Sequence, residues 1–200
     1  VFGKSLSSPG VRAFWWPRFK RIAHWFTDFE RARRAGGAEI LALETPGELT
    51  VSGPAGDFKL TARADRIDRL AQRGLAILDY KTGQPPTAKQ VISGLTPQLS
   101  LEAAILRDGG FKGVTAEAAG ALTYVRLSGG RQPGEEKVLD LDVAEVTDTA
   151  LAGLIKRIKA FDDPKTPYLS RPVPMFESRF GDYDHLARVK EWMAAEGGGE

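Results

Sequence analysis

The chain of 200 residues contains no cysteine. That excludes disulfides, thiol catalysis, a cysteine-ligated zinc ribbon and an iron–sulfur cluster. Histidine is nearly as scarce, with two residues, His24 and His185, which argues against a histidine-rich metallophosphoesterase. No stretch approaches the ~20 consecutive apolar residues that a membrane-spanning helix needs, so no membrane partner is expected. The start carries no secretory signal pattern, and the expected location is the cytoplasm. Glycine-rich phosphate loops, Ser-His-Asp spacing and internal repeats are missing. Net charge is only +2, too small by itself to argue nucleic-acid binding. With 42% apolar residues, the length is enough to bury one core, and the chain reads as a single α/β domain.

The charge is unevenly spread. Residues 1–34 hold eight Lys/Arg against two Asp/Glu. The runs Arg18-Phe19-Lys20-Arg21 and Arg31-Ala32-Arg33-Arg34 make a basic arm that suits a phosphate backbone, and suits a solvated helix face equally well. In the same stretch Trp15, Trp16, Phe19, Ile22, Ala23 and Phe26 recur at helical spacing, which makes them core before they are base-stacking platforms.

The chemistry concentrates between Ala62 and Gly83. Phe58, Leu60, Ala62 and Ala64 alternate with Lys59, Thr61, Arg63 and Asp65, the period of a half-buried strand. After the polar turn Ala71-Gln72-Arg73-Gly74 a second strand runs Leu75-Ala76-Ile77-Leu78-Asp79-Tyr80-Lys81, and its two-residue period places Asp79 and Lys81 on one face. So short a connection makes a hairpin. With Leu70 opposite Gly74, Asp65 falls opposite Asp79; a slip of one residue would send the two carboxylates to opposite faces. Opposed carboxylates destabilise a sheet unless something such as a cation compensates them. Mg²⁺ or Mn²⁺ suits such a site, because hard ions take one or two carboxylates and fill the rest of the octahedron with water and phosphate oxygen. Asp65, Asp79 and the Tyr80 backbone carbonyl are the expected ligands. Lys81, two residues past a ligand, is placed to orient or deprotonate a water and to offset charge on a phosphorane-like transition state. The competing reading is a charged edge strand followed by a strand end.

These segments, Asp65-Arg66-Ile67-Asp68 and Asp79-Tyr80-Lys81-Thr82-Gly83, resemble the second and third motifs of the RecB-type branch of the PD-(D/E)XK nuclease superfamily. Pro97-Gln98-Leu99 resembles that branch's Gln-Leu motif. The resemblance implies a restriction-endonuclease-like α/β core, a mixed central sheet flanked by α-helices, and a Mg²⁺-dependent (or Mn²⁺-dependent) deoxyribonuclease. Asp65, Asp79, Lys81 and Gln98 would be catalytic, and Arg63, Arg66 and Gln98 would touch DNA; Asp68 would orient a neighbour. Phe14-Trp15-Trp16-Pro17 onward and Gly181-Asp182-Tyr183-Asp184 extend the likeness to AddB-type nuclease domains. That implies an exonuclease partnered by an AddA-type helicase-nuclease subunit that resects double-strand breaks for recombinational repair. In three places the chain departs from the pattern. The branch's upstream histidine has no counterpart, since His24 sits among Ala23, Trp25 and Phe26 as a packed or surface residue. Ala62 replaces a glycine, and Glu102 replaces a tyrosine four residues after the glutamine. The chain opens Val1-Phe2-Gly3 without an initiator Met, consistent with a start downstream of that histidine. The missing histidine favours the alternative of a weak or inactive DNA-binding or scaffold module; a small-molecule phosphodiesterase is disfavoured by the lack of a phosphate-pocket motif.

Three segments are expected: residues 1–40 helical, 41–195 the nuclease core with a C-terminal wrapping stretch, and 196–200 a disordered tail. Thr96 as N-cap and Pro97 at the first position open a helix that Gly109-Gly110 closes. Strands are expected at 121–127 and 137–141 and a helix at 147–161. An extended proline-containing segment follows to Phe180, then a short helix over 184–192 capped by Asp182 or Asp184.

Overall fold

The structure is a computed structural model and describes residues 8–168. The expectations for the segment beyond Tyr168, the helix over 184–192 with its Asp182 or Asp184 cap, and the glycine tail lie outside the described residues. The chain divides into two compact units, Val1–Lys159 and Ala160–Glu200. In the second, Asp163 organises a turn by accepting from the Lys165 and Thr166 backbone N–H groups.

Among the described residues, five strands form one sheet in the order β1-β2-β3-β4-β5. They are β1 (Glu39–Gly53), β2 (Gly56–Leu70), β3 (Gly74–Lys81), β4 (Ala119–Leu127) and β5 (Gly134–Val138). All neighbours are antiparallel except β3 and β4. That parallel step needs a crossover, and the chain makes it through two helices, α2 (Ala88–Ile92) and α3 (Gln98–Arg107). A π-helical turn, Val11–Trp15, leads into α1 (Trp16–Ala35), and α4 (Val143–Phe161) follows β5.

Side chains from α3 and from Val146, Leu151, Leu154, Ile155 and Ile158 of α4 pack with Ile67, Ile77, Leu122 and Tyr124 on one sheet face. Phe29, Trp25 and Phe26 of α1 pack with Ala76, Leu78, Ala121 and Val125 on the other. The sheet is thus flanked by helices on both faces, as the sequence led one to expect. Strand β3 is covered on both sides, which is why Leu75-Ala76-Ile77-Leu78 is a continuous apolar run rather than an alternation. The turn before it reverses at Gly74, whose φ of 65° suits glycine.

Several boundaries differ from the sequence reading. The helix after Pro97 begins at Gln98, and its first bond runs from the Leu101 N–H to the Pro97 carbonyl. Pro97, not Thr96, is therefore the N-cap; the Thr96 N–H goes to the Gln90 carbonyl of the preceding turn. The preceding helix α2 was not anticipated, although Thr87 and Gln90 close a reciprocal capping box around its start. Strand β5 lies at Gly134–Val138 rather than 137–141, because after Val138 only the Leu139 N–H still reaches β4, at Leu122 O (2.9 Å). The aromatic residues of the N-terminal helical stretch are only partly core: Phe14 and Trp15 of the π-helical turn and Phe19 of α1 are exposed, and Phe29 is the buried residue of α1.

Candidate functional site

The register decides whether the two aspartates meet. Leu70 pairs with Gly74, Ile67 with Ile77 and Arg66 with Leu78, so the same diagonal carried one residue further sets Asp65 opposite Asp79. The ladder ends there. In place of the next backbone bond, the Tyr80 N–H donates to Asp65 Oδ2 (2.9 Å). In an antiparallel ladder a residue's N–H and C=O project from the same strand edge. The Tyr80 carbonyl therefore leaves β3 on the edge where Asp65 sits.

Asp79 and Lys81, two residues apart, share the face that packs on α3. Lys81 Nζ lies 2.7 Å from Asp79 Oδ2 and donates to Gln98 Oε1 (3.2 Å). Gln98 donates from Nε2 to Asp79 Oδ1 (2.7 Å) and to Glu102 Oε1 (3.2 Å). The first turn of α3 thus stands over the end of β3 and joins two carboxylates and the ammonium through one amide. Gln98 is placed there because Leu99, Ala103 and Leu106 bury the same helix against the sheet.

Burial sets the electrostatics. Asp79 is 3% exposed and Glu102 3% exposed. Loss of hydration raises the Asp79 carboxyl above the usual range, opposed by Lys81 and reinforced by Asp65. Glu102 is pushed up to about 7, mainly by burial, with the Gln98 hydrogen bond opposing and the charges of Asp79 and Asp65 adding. Tyr124 of β4, whose ring centroid lies 6.0 Å from Lys81 Nζ, is pushed up to about 12 by burial and by Asp79 and Glu102. A carboxyl raised on folding holds its proton more tightly in the native state, so its contribution is fully present below about 4.5 and is lost as pH rises through about 7. In EDTA, the unfolding free energy from urea titrations is expected to decline across that window and to level above it, and Glu102→Gln should flatten the slope.

Two buried carboxylate oxygens here lack any hydrogen-bond donor: Glu102 Oε2 and Asp79 Oδ2. The Lys81 contact to Asp79 Oδ2 is an ion pair by distance without hydrogen-bond angles. With Asp79 Oδ2 paired to the ammonium, Glu102 Oε2 is the oxygen left without a partner, and a hard divalent cation nearby would compensate it. No three His, Cys, Asp or Glu side chains among the described residues form a ready metal cage.

The structure therefore brings Asp65, Asp79, Tyr80, Lys81 and Gln98 together, and adds Glu102 and Tyr124. Glu102 carried a signal in the sequence, as a carboxylate one helical turn after Gln98. Tyr124 carried none within its strand pattern. Arg63 is exposed and pairs with Glu44 (3.1 Å) on the same strand pair. Arg66 is a correction: at 2% exposure it is buried on the α1 face. Its guanidinium donates to Asp68 (2.6 and 2.8 Å), Glu30 and the Tyr80 hydroxyl, and no edge remains for a phosphate. Asp68 also accepts from Arg33 (2.7 Å). The basic arm is likewise largely committed to structure, since Arg18 and Arg21 donate to the Ser128 and Gly129 carbonyls. His24 lies exposed on α1, apart from these contacts.

Comparison with known proteins adds a second kind of observation. The family model described as the PD-(D/E)XK nuclease superfamily matches residues 5–171. An uncharacterized protein of Rickettsia felis is 30% identical over 206 residues, covering 87% of this chain and 24% of its own length. An uncharacterized protein of Rickettsia conorii is 38% identical over 97 residues, covering 48% of this chain and 12% of its own. One from Rickettsia typhi is 35% identical over 101 residues, covering 50% and 12%. The chain thus spans about a quarter or less of the length of these curated relatives.

Proposed function

Because this chain belongs to the PD-(D/E)XK nuclease superfamily, a family with a restriction-endonuclease-like core, we propose that it hydrolyses phosphodiester bonds of DNA with Mg²⁺ or Mn²⁺. The observation that carries this reading is the cluster at the end of β3: Asp65 beside the Tyr80 amide, and Asp79 and Lys81 joined through Gln98. Asp65, Asp79 and the Tyr80 carbonyl would hold the ion, which when bound supplies Lewis acidity and a water of lowered pKa.

The chain's own residues do the rest. Gln98 holds the Asp79 carboxylate in one rotamer and pins the Lys81 ammonium at the pocket mouth, where its side chain is 32% exposed. Lys81 then faces the incoming phosphate as a point charge, orients the attacking water and offsets charge on the phosphoryl oxygens. Tyr124 lines the same pocket as a neutral phenol, as tyrosine ordinarily is at physiological pH, and burial raises its pKa further.

The finer reading is an exonuclease domain of AddB type, working beside an AddA-type helicase-nuclease subunit in double-strand break repair in the cytoplasm. Two things favour it: the motif resemblance, and relatives several times longer than the aligned segment. The second reading is a DNA-binding module with weak cleavage. Cutting of end-labelled single- and double-stranded DNA in Mg²⁺, Mn²⁺ or EDTA, with Lys81→Ala as comparison, separates them. Metal-dependent cutting that falls by about 100-fold or more in the variant, the scale of losing one electrostatic stabiliser, supports the nuclease. DNA binding with no cutting by the parent chain supports the module.

A further inference from the structure

Glu102 is the one buried acid of the pocket that the proposed chemistry leaves unused. It stands one turn after Gln98 on α3 and is fully covered. Its Oε1 accepts from Gln98 Nε2, the same nitrogen that donates to Asp79 Oδ1. Its Oε2 has no partner and no contact with solvent.

A carboxylate serving only to pack α3 against the sheet would be a poor choice at this position. Leu99, Ala103, Ile105 and Leu106 around it are apolar and fully or almost fully buried, and a buried carboxylate oxygen without a donor is strongly unfavourable. Such a group is retained where a positive charge compensates it. Lys81 compensates it only in part: its charge favours the Glu102 carboxylate, but the ammonium is already engaged by Asp79 and Gln98. Asp79, paired with Lys81 through Oδ2, lies across the same Gln98 amide through Oδ1.

We propose that Glu102 is a positioning residue of the cation site: it anchors Gln98, and through Gln98 the Asp79 carboxylate, and its negative charge favours a divalent cation beside Asp79. The inference rests on the reading of this pocket as a cation site. Its chemistry is that of an outer partner of a ligand, whose removal typically weakens metal affinity ten- to a hundredfold. Glutamine at the same place keeps the shape and an acceptor for Gln98 but removes the charge.

The test is Mn²⁺ binding to the full chain without DNA, read by the spin-resonance signal of free Mn²⁺, for the parent, Glu102→Gln, Glu102→Met and Asp79→Asn. Both Glu102 variants are expected to bind Mn²⁺ about ten- to a hundredfold more weakly. At pH 7.5 in EDTA their melting midpoint is expected to equal or exceed the parent's, an outcome that a merely structural glutamate would not give. Parent-like Mn²⁺ affinity in Glu102→Gln or, should that chain not fold, in Glu102→Met overturns the inference. If Asp79→Asn loses Mn²⁺ binding while the Glu102 variants keep it, only the role of Glu102 fails. If the parent binds no Mn²⁺, or Asp79→Asn binds as the parent does, the cation-site reading fails with it.

Discussion

Asp79→Asn is expected to abolish metal-dependent DNA cleavage while leaving the fold and the affinity for DNA in EDTA close to those of the parent. The side chain keeps its shape, so Leu78 and Tyr80 stay in the ladder, and the asparagine carbonyl can still accept from Gln98 Nε2. What is lost is the negative charge that holds Lys81 at 2.7 Å and that would meet the cation. Removing an outer partner of a metal ligand costs up to about 100-fold, so removing a ligand should cost more than that. The metal-free domain should not be weakened, because this carboxylate is buried and its pKa is raised chiefly by lost hydration. Single-turnover cleavage, circular dichroism and anisotropy of labelled DNA in EDTA check the three claims separately. Loss of cleavage together with loss of fold would place Asp79 among the structural acids instead.

Much of this site was legible because a β-strand has a period of two and a hairpin has a short turn. The tetrad Ala71-Gln72-Arg73-Gly74 marked a short hairpin in which Leu70 opposite Gly74 would set Asp65 against Asp79, but the sequence left a slip of one residue open; the ladder pairs Leu70 with Gly74. Other parts were hidden for physical reasons. Strand β1 was not anticipated, and it carries Pro46 and Gly47 in mid-run, both of which weaken a strand pattern. It is an edge strand, where a missing N–H is tolerated, and Gly47 is required because a Cβ there would lie 2.4 Å from the Phe111 ring. Arg66 was expected at the DNA only through the family resemblance. Period two sends it to the face opposite Asp65, but its burial depends on Glu30 and Arg33 from α1, 36 and 35 residues away from their partners in sequence. The aromatics of α1 have helical spacing, yet the helix outruns the sheet it covers. Only the turn holding Trp25, Phe26 and Phe29 lies over β3 and β4, and periodicity cannot report where a partner surface ends.

The network behind the sheet should produce the largest stability effect in the domain. Asp68 is 0% exposed and takes both guanidinium groups of the α1 face: Arg66 through Nε and Nη2, and Arg33 through Nη2 at 2.7 Å. Asp68→Ala leaves two cations facing an apolar layer with only Glu30, Glu136 and the Tyr80 hydroxyl to share. Breaking a buried ion pair by removing one partner costs about 3–5 kcal/mol, a large part of the ~5–15 kcal/mol that holds a domain folded. The urea midpoint of Asp68→Ala is therefore expected to collapse, whereas Arg66→Met with Asp68→Leu, which removes the acid and one of its two cations and leaves Arg33 to Glu136, should recover part of the loss. A double variant no better than the single one would show that the network contributes attraction beyond its own desolvation. The consequence reaches the site, because Tyr80 belongs to both systems. Its hydroxyl accepts from Arg66 on the α1 face, while its amide holds Asp65 on the other. Milder damage such as Asp68→Asn, at temperatures where the domain stays folded, should therefore weaken Mn²⁺ binding as well as stability. That coupling would make the charged layer under α1 the support on which the Asp65 carboxylate and the Tyr80 carbonyl are held.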